Sequence, residues 1–206
     1  MVMNQLTRRY RSQKVREMPN ADLQMKHLRN CRLLKDRAEL LKLLPVDAVV
    51  AEIGVAYGDF TKQIIEITNP RHLHLIDLWQ GKRYGEGLEK INRDLLGQIG
   101  TKQIIVNRGY STQVLSEFPD SYFDWVYIDT DHTYATTRDE LLLCHKKVNS
   151  DGIICGHDFS KGNVIYPVVY GVIQACNEFC IEMDYEYIYL TLESSGDFSF
   201  ALRRRT

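Results

Sequence analysis

Nowhere does this chain run apolar for the roughly 20 residues that a membrane-crossing helix needs. Its opening stretch, MVMNQLTRRYRSQKVREM, carries arginines where a secretory leader would carry a continuous apolar centre. Both absences argue against a spanning or exported protein, and the expectation is a retained, cytoplasmic one with no membrane attachment. The five cysteines (Cys31, Cys144, Cys155, Cys176 and Cys180) are odd in number and include no C-x-x-C pair. That argues against a disulfide frame and a zinc knuckle, and leaves small buried thiols as the expectation. Internal repeats and low-complexity tracts are missing as well. What remains, at 206 residues with 44% apolar and 26% charged, is one globular domain long enough to bury a substantial core.

Charge is nearly balanced overall but not along the chain. Residues 1–44 hold 11 Lys or Arg and 4 Asp or Glu, against 15 and 23 in the remainder, so a basic arm precedes an acidic body. One reading of the arm is a contact for phosphate or another anion. No aromatic or glycine-rich nucleic-acid motif accompanies it, which favours a solvated helix that caps the domain or pairs with a second subunit in a homo-oligomer. Leu23, Leu28, Cys31, Leu34, Ala38, Leu41 and Leu44 recur close to a 3.6-residue period. This predicts an amphipathic helix over 21–44, stopped by Pro45. Residues 1–44 are read as a basic helical extension and 45–206 as the main domain.

From Pro45 onward short apolar runs alternate with amphipathic ones, the pattern of parallel strands joined by crossover helices. AVVAEIG, HLHLIDL, QIIVNRG, FDWVYID and GIICGHD are the candidate strands, with helices expected over 59–68, 86–98, 111–117, 134–147 and 163–181. The stripe Val164, Val168, Val172, Ala175 and Phe179 is helix-spaced and reads as core. YEYIYLTL and FSFALRR follow with only ESSGD between them, a link that can close a hairpin but not a parallel crossover. The fold class is therefore α/β, a doubly wound, Rossmann-like seven-stranded sheet with an antiparallel C-terminal hairpin.

Ligands of such sheets bind at the carboxyl ends of the strands. The first end, EIGVAYGDF, sets Glu52, Gly54, Tyr57 and Gly58 where the chain turns from strand to helix. It is G-x-x-x-G with an acid before it, not the G-x-G-x-x-G of dinucleotide sites. An acid there repels a pyrophosphate and suits a cationic ligand. Asp77 ends the second strand at the distance where a carboxylate can take ribose hydroxyls, although a lone strand-end Asp is also a common helix cap. Together they favour a nucleoside without phosphates.

These segments resemble the class I methyltransferases that use S-adenosylmethionine, from Pro45 to Arg205. The resemblance implies that Glu52 and Gly54 line the methionine end of the cofactor, that Tyr57 and Gly58 also bind the cofactor, that Asp77 binds the ribose, and that Leu78 or Trp79 borders the adenine. In NRGYSTQVL, Gly109 and Ser111 match the adenine-side loop. No N-P-P-Y or D-P-P-Y segment follows the fourth strand, so an oxygen acceptor fits better than an amide or exocyclic amine.

YIDTDHTY ends the fourth strand and GIICGHDF the fifth, so Asp129, His157 and Asp158 should converge, and such a donor set suits a divalent cation. The pattern is similar to the metal-dependent O-methyltransferases of catechol and macrolide-sugar type. By that resemblance Asp129, His157 and Asp158 hold magnesium or manganese, Asp129 also borders the cofactor, and His132 removes the proton of a small-molecule hydroxyl. His157 departs from the pattern, because better-studied members place an oxygen ligand there. Asp131 reads more simply as a helix cap. Lys82, Arg83 and Lys161 lie in loops that could wall an anionic substrate, though solvated surface charge is the more common explanation. Two alternatives stay open: an RNA-modifying methyltransferase that uses Arg8, Arg9 and Arg11, and a non-catalytic adenosyl-nucleoside binder.

Overall fold

A computed structural model describes residues 5–163 and 168–205. Val164 of the predicted core stripe and the side chains of Lys82 and Arg83 lie outside the described residues. The basic start forms α1 (Gln5–Glu17), none of whose residues is buried. The predicted helix over 21–44 is not there. In its place stand a 3-10 turn (Met25–His27), a three-residue strand β1 (Arg32–Leu34) and a short helix α2 (Arg37–Leu41). Two reasons emerge. Asp36 Oδ1 accepts from Glu39 N at 3.0 Å, a cap that starts a helix late in the segment. Residues 32–34 also pair with a strand at the far end of the chain, in the register Arg32 to Tyr189 and Leu34 to Thr191, and such a partner overrides local periodicity.

Past Pro45 the expected alternation is present. The strands are β2 (Val49–Ile53), β3 (His72–Asp77), β4 (Ile104–Arg108), β5 (Phe123–Ile128) and β6 (Val148–Gly156). Between them run α3 (Asp59–Thr68), α4 (Gly81–Tyr84), α5 (Gly87–Asp94), α6 (Leu96–Gly100), α7 (Ser111–Glu117) and α8 (Tyr134–Lys147). Then α9 (Val172–Met183) leads to β7 (Tyr185–Thr191) and β8 (Phe200–Arg204). The single helix predicted over 86–98 is broken at Leu95, where φ is −117° and the side chain is buried. Of the helix predicted over 163–181, residues 164–167 lie outside the described residues and the described helix begins at Val172. Gly171 precedes it, its N–H bonded to His132 O at 2.8 Å, and a Cβ there would lie 2.4 Å from Tyr134. Val168 is exposed rather than core, whereas Val172, Ala175 and Phe179 are buried as the stripe requires.

All strands join one sheet in the order β1-β7-β8-β6-β5-β2-β3-β4. The core β2 to β6 pairings are parallel and β8 runs antiparallel to both neighbours. This is the expected sheet with β1 added as an eighth strand at one edge. Every residue of β2 is buried, as a strand covered on both faces demands. One face packs Ile53, Val126, Ile128 and Ile154 against Phe179, and the other packs Val50, Trp125 and Tyr127 against Leu40, Leu41 and Phe60. Strand order reverses between β2 and β5, so the crevice for a ligand opens at their carboxyl ends. Cys144, Cys155, Cys176 and Cys180 are buried thiols and Cys31 is half-buried.

Candidate active site

At the tip of β2 the Glu52 carboxyl is buried and accepts a 2.6 Å bond from Thr61 Oγ1, one turn into α3. Burial pushes its pKa up to about 8, with Asp129 and Asp77 adding to the rise and the Thr61 bond and Arg37 opposing it. Gly54 holds φ at +90°, and a Cβ on it would sit 2.0 Å from the Asp129 carbonyl oxygen. Only glycine lets the end of β2 pass that close to the end of β5. Gly58, at φ +78°, precedes α3.

Asp77 organises the rest of this loop. Its Oδ2 accepts from Val55 N at 2.8 Å and Ala56 N at 2.9 Å, and its Oδ1 from Trp79 N at 2.7 Å. Three backbone donors leave the carboxylate a lone pair to spare for a ribose hydroxyl. Trp79 is buried, with Nε1 donating to Ala56 O at 2.9 Å, while Leu78 is half-buried. Tyr57 O accepts from Lys90 Nζ at 3.1 Å. Gly109 N donates to Asp77 O at 3.0 Å, which brings the loop of Gly109 and Ser111 beside Asp77. Glu52, Gly54, Gly58, Asp77 and Gly109 therefore lie together at the carboxyl ends of β2, β3 and β4.

The second group gathers at the ends of β5 and β6. One ligand atom each from Asp129, His132 and Asp158 lies within 4.8 Å of the others. His132 Nε2 is 3.1 Å from Asp158 Oδ2, and His157 Nδ1 is 3.6 Å from Asp158 Oδ2 and 3.9 Å from Asp129 Oδ2. Asp129, His132 and Asp158 form the group, with His157 beside the two carboxylates, so His132 stands among the donors rather than behind them. Burial raises the Asp129 pKa against the pull of both histidines. For Asp158 burial also pushes upward, but the His157 hydrogen bond and the two imidazoles outweigh it and the pKa is lowered. Burial alone would lower the His157 pKa, but its hydrogen bond to Asp158 and the charge of Asp129 overcome that and raise it. Asp131 stays out of the group, accepting from Thr133 N and Thr136 Oγ1 at 2.9 Å each as a cap on α8.

Two functional neighbours carried no readable signal in the sequence. Thr61 supports Glu52 from the next helix. Glu140, fully buried on α8, accepts from Thr130 Oγ1 at 2.9 Å. Burial lifts its pKa to about 7, and Ser111 and Thr130 work against the rise. Of the expected substrate walls, Lys161 is exposed.

A family described as methyltransferase domain matches residues 51–159, just over half of the chain and the whole span from Glu52 to Asp158. The chain belongs to the methyltransferase family. Its class I, S-adenosylmethionine-dependent fold is shared with solved structures of low sequence identity. One is a putative rRNA methylase from Clostridium thermocellum, at 12% identity and TM-score 0.63, covering 84% of this chain and 98% of that one. Another is a putative type 11 methyltransferase from Sulfolobus solfataricus, at 15% identity and TM-score 0.56, covering 77% and 84%. A third is the tRNA methyltransferase TrmK of B. subtilis, at 12% identity and TM-score 0.58, covering 84% and 67%. No curated protein matches the chain. For this methyltransferase the β5–β6 donor set fits a divalent cation: two carboxylates and two imidazoles lie together, and the Asp129 carboxyl is held in a place where its own charge is disfavoured. Nitrogen donors shift the preference from magnesium toward manganese, iron or zinc.

Proposed function

We propose that this methyltransferase transfers the methyl group of S-adenosylmethionine to a hydroxyl oxygen of a small molecule with the help of a divalent metal ion. The observation that carries the proposal is the meeting of Asp129, His132 and Asp158 within 4.8 Å, at strand ends next to the Glu52 and Asp77 crevice. Asp129, Asp158 and His157 would hold the ion. A divalent cation supplies charge that lowers the pKa of a hydroxyl bound beside it.

The chain's own residues do the remainder. His132 accepts the hydroxyl proton on Nδ1, while its Nε2, 3.1 Å from Asp158 Oδ2, donates to that carboxylate, which stabilises the imidazolium that forms. The acceptor oxygen bonds to the methyl carbon as the carbon–sulfur bond breaks, and that electron pair stays on sulfur. Charge is annihilated in this displacement, so alignment in a site closed to water matters more than any covalent intermediate. The acids Glu52, Asp77 and Asp129 give the sulfonium a favourable field.

Calorimetry of Mn2+ and Mg2+ binding to the wild type and to Asp129→Ala, each with S-adenosylmethionine present, tests this reading. Metal binding lost in the variant while the cofactor still binds supports it. Cofactor binding with no metal uptake by the wild type removes the metal from the mechanism.

A second reading, an RNA-modifying methyltransferase, is favoured by α1, where Arg8, Arg9 and Arg11 sit on a helix with no buried residue, and by the fold shared with enzymes titled as rRNA and tRNA methylases. RNA affinity that falls steeply with salt in the wild type, and not after charge removal at those arginines, would support it.

A further inference from the structure

Arg37 opens α2, in the stretch before Pro45, yet its guanidinium lies over the Phe60 ring at 4.5 Å from the centroid. Phe60 is the second residue of α3, directly after the glycine loop, and packs on Tyr127 with centroids 4.4 Å apart. The acids nearest Arg37 in sequence are engaged elsewhere: Asp36 with Lys35 at 3.5 Å and Glu39 with Lys42 at 2.7 Å. Among the described residues no carboxylate pairs with Arg37, although it is half-buried. An arginine held by an aromatic face with its donor fork unused is prepared for a planar anion.

The strand ends on this side are acidic: Glu52, Asp77, Asp129 and Asp158 stand at or just past the carboxyl ends of β2, β3, β5 and β6, and the positive charge of Arg37 is felt at Glu52, Asp129, His157 and Asp158. Lys90, the other cation at this loop, is committed to Tyr57 O at 3.1 Å and to Asp94 at 3.2 Å. A methionine tail entering here brings an ammonium, which suits the acids, and a carboxylate, which they repel. The carboxylate needs a cation on the α3 side.

We propose that Arg37 binds the carboxylate of the cofactor's methionine tail, so that the segment before Pro45 completes the cofactor site. This rests on the S-adenosylmethionine reading. The test is calorimetry with S-adenosylmethionine and with its decarboxylated form, which keeps the sulfonium and the amine, on the wild type, Arg37→Ala and Arg37→Lys. The wild type should prefer the carboxylated ligand by roughly ten- to a hundredfold. Arg37→Ala should lose that preference by weakening S-adenosylmethionine alone, and Arg37→Lys should recover part of it. Equal weakening of both ligands, or of neither, overturns the proposal. A wild type that binds neither ligand removes the cofactor reading itself, and the proposal falls with it.

Discussion

His132 Nε2 stands 3.1 Å from Asp158 Oδ2, and both residues hold left-handed backbone, at φ 60° and 54°. Two non-glycine residues in that region, facing each other at the strand ends, are a costly arrangement of about 1 kcal/mol or more apiece. The fold tolerates it where the donors converge. Asn accepts this backbone as readily as Asp does. Asp158→Asn should therefore keep the unfolding midpoint within roughly 3 °C while weakening Mn2+ binding at least tenfold. Unchanged metal affinity would show that Asp158 serves only to orient His132.

Asp129→Ala should reduce turnover by two or more orders of magnitude with the circular-dichroism spectrum preserved, since in the proposed mechanism it removes a donor shared by metal and cofactor. Retained turnover would separate catalysis from the donor cluster.

Gly54→Ala should destabilise the protein by about 2–3 kcal/mol or more. The added carbon would sit 2.0 Å from the Asp129 carbonyl oxygen at a φ of +90°, so the tips of β2 and β5 would have to part. Urea denaturation reads the loss, and a midpoint equal to wild type would contradict the close approach.

Glu140 sets a pH dependence of stability. Its folded-state pKa is about 7 against an ordinary 4.5. Between those values the folded protein retains a proton that the unfolded chain has released, so stability falls as pH rises through that window and levels off above it. The loss is on the order of 3 kcal/mol. Glu52 acts in the same direction up to about 8. Denaturation at pH 5 and pH 8 should show a shallower decline for Glu140→Gln than for wild type. Identical slopes would assign the effect elsewhere.

Cofactor binding should release protons near neutral pH, because a sulfonium beside Glu52 lowers a pKa that starts at about 8. Calorimetric enthalpies measured in phosphate and in Tris should differ by the buffers' ionisation heats times the fraction released. Equal enthalpies would mean that Glu52 keeps its proton.

The alternation after Pro45 was legible because strands covered on both faces read as unbroken apolar runs, and the glycine loop and strand-end acids punctuate them. Asp129, His132, His157 and Asp158 could be picked out for the same reason, since charged groups set directly after a buried strand are costly unless they meet a partner or a ligand. Residues 21–44 misled because the period of Leu23, Leu34 and Leu44 is a local property. What decides Arg32–Leu34 is β7, more than 150 residues away in sequence. The same limit hid Arg37, whose place over the Phe60 ring is set by the fold.

β8 comes last of the described strands, yet it lies between β6 and β7, with Phe200, Ala201 and Leu202 all but inaccessible to solvent. During synthesis the sheet therefore waits in two parts, and the half carrying β7 and β1 has no bonded neighbour until the chain has emerged to Arg204. A chain lacking β8 would leave an open, apolar slot between β6 and β7 in the middle of the sheet.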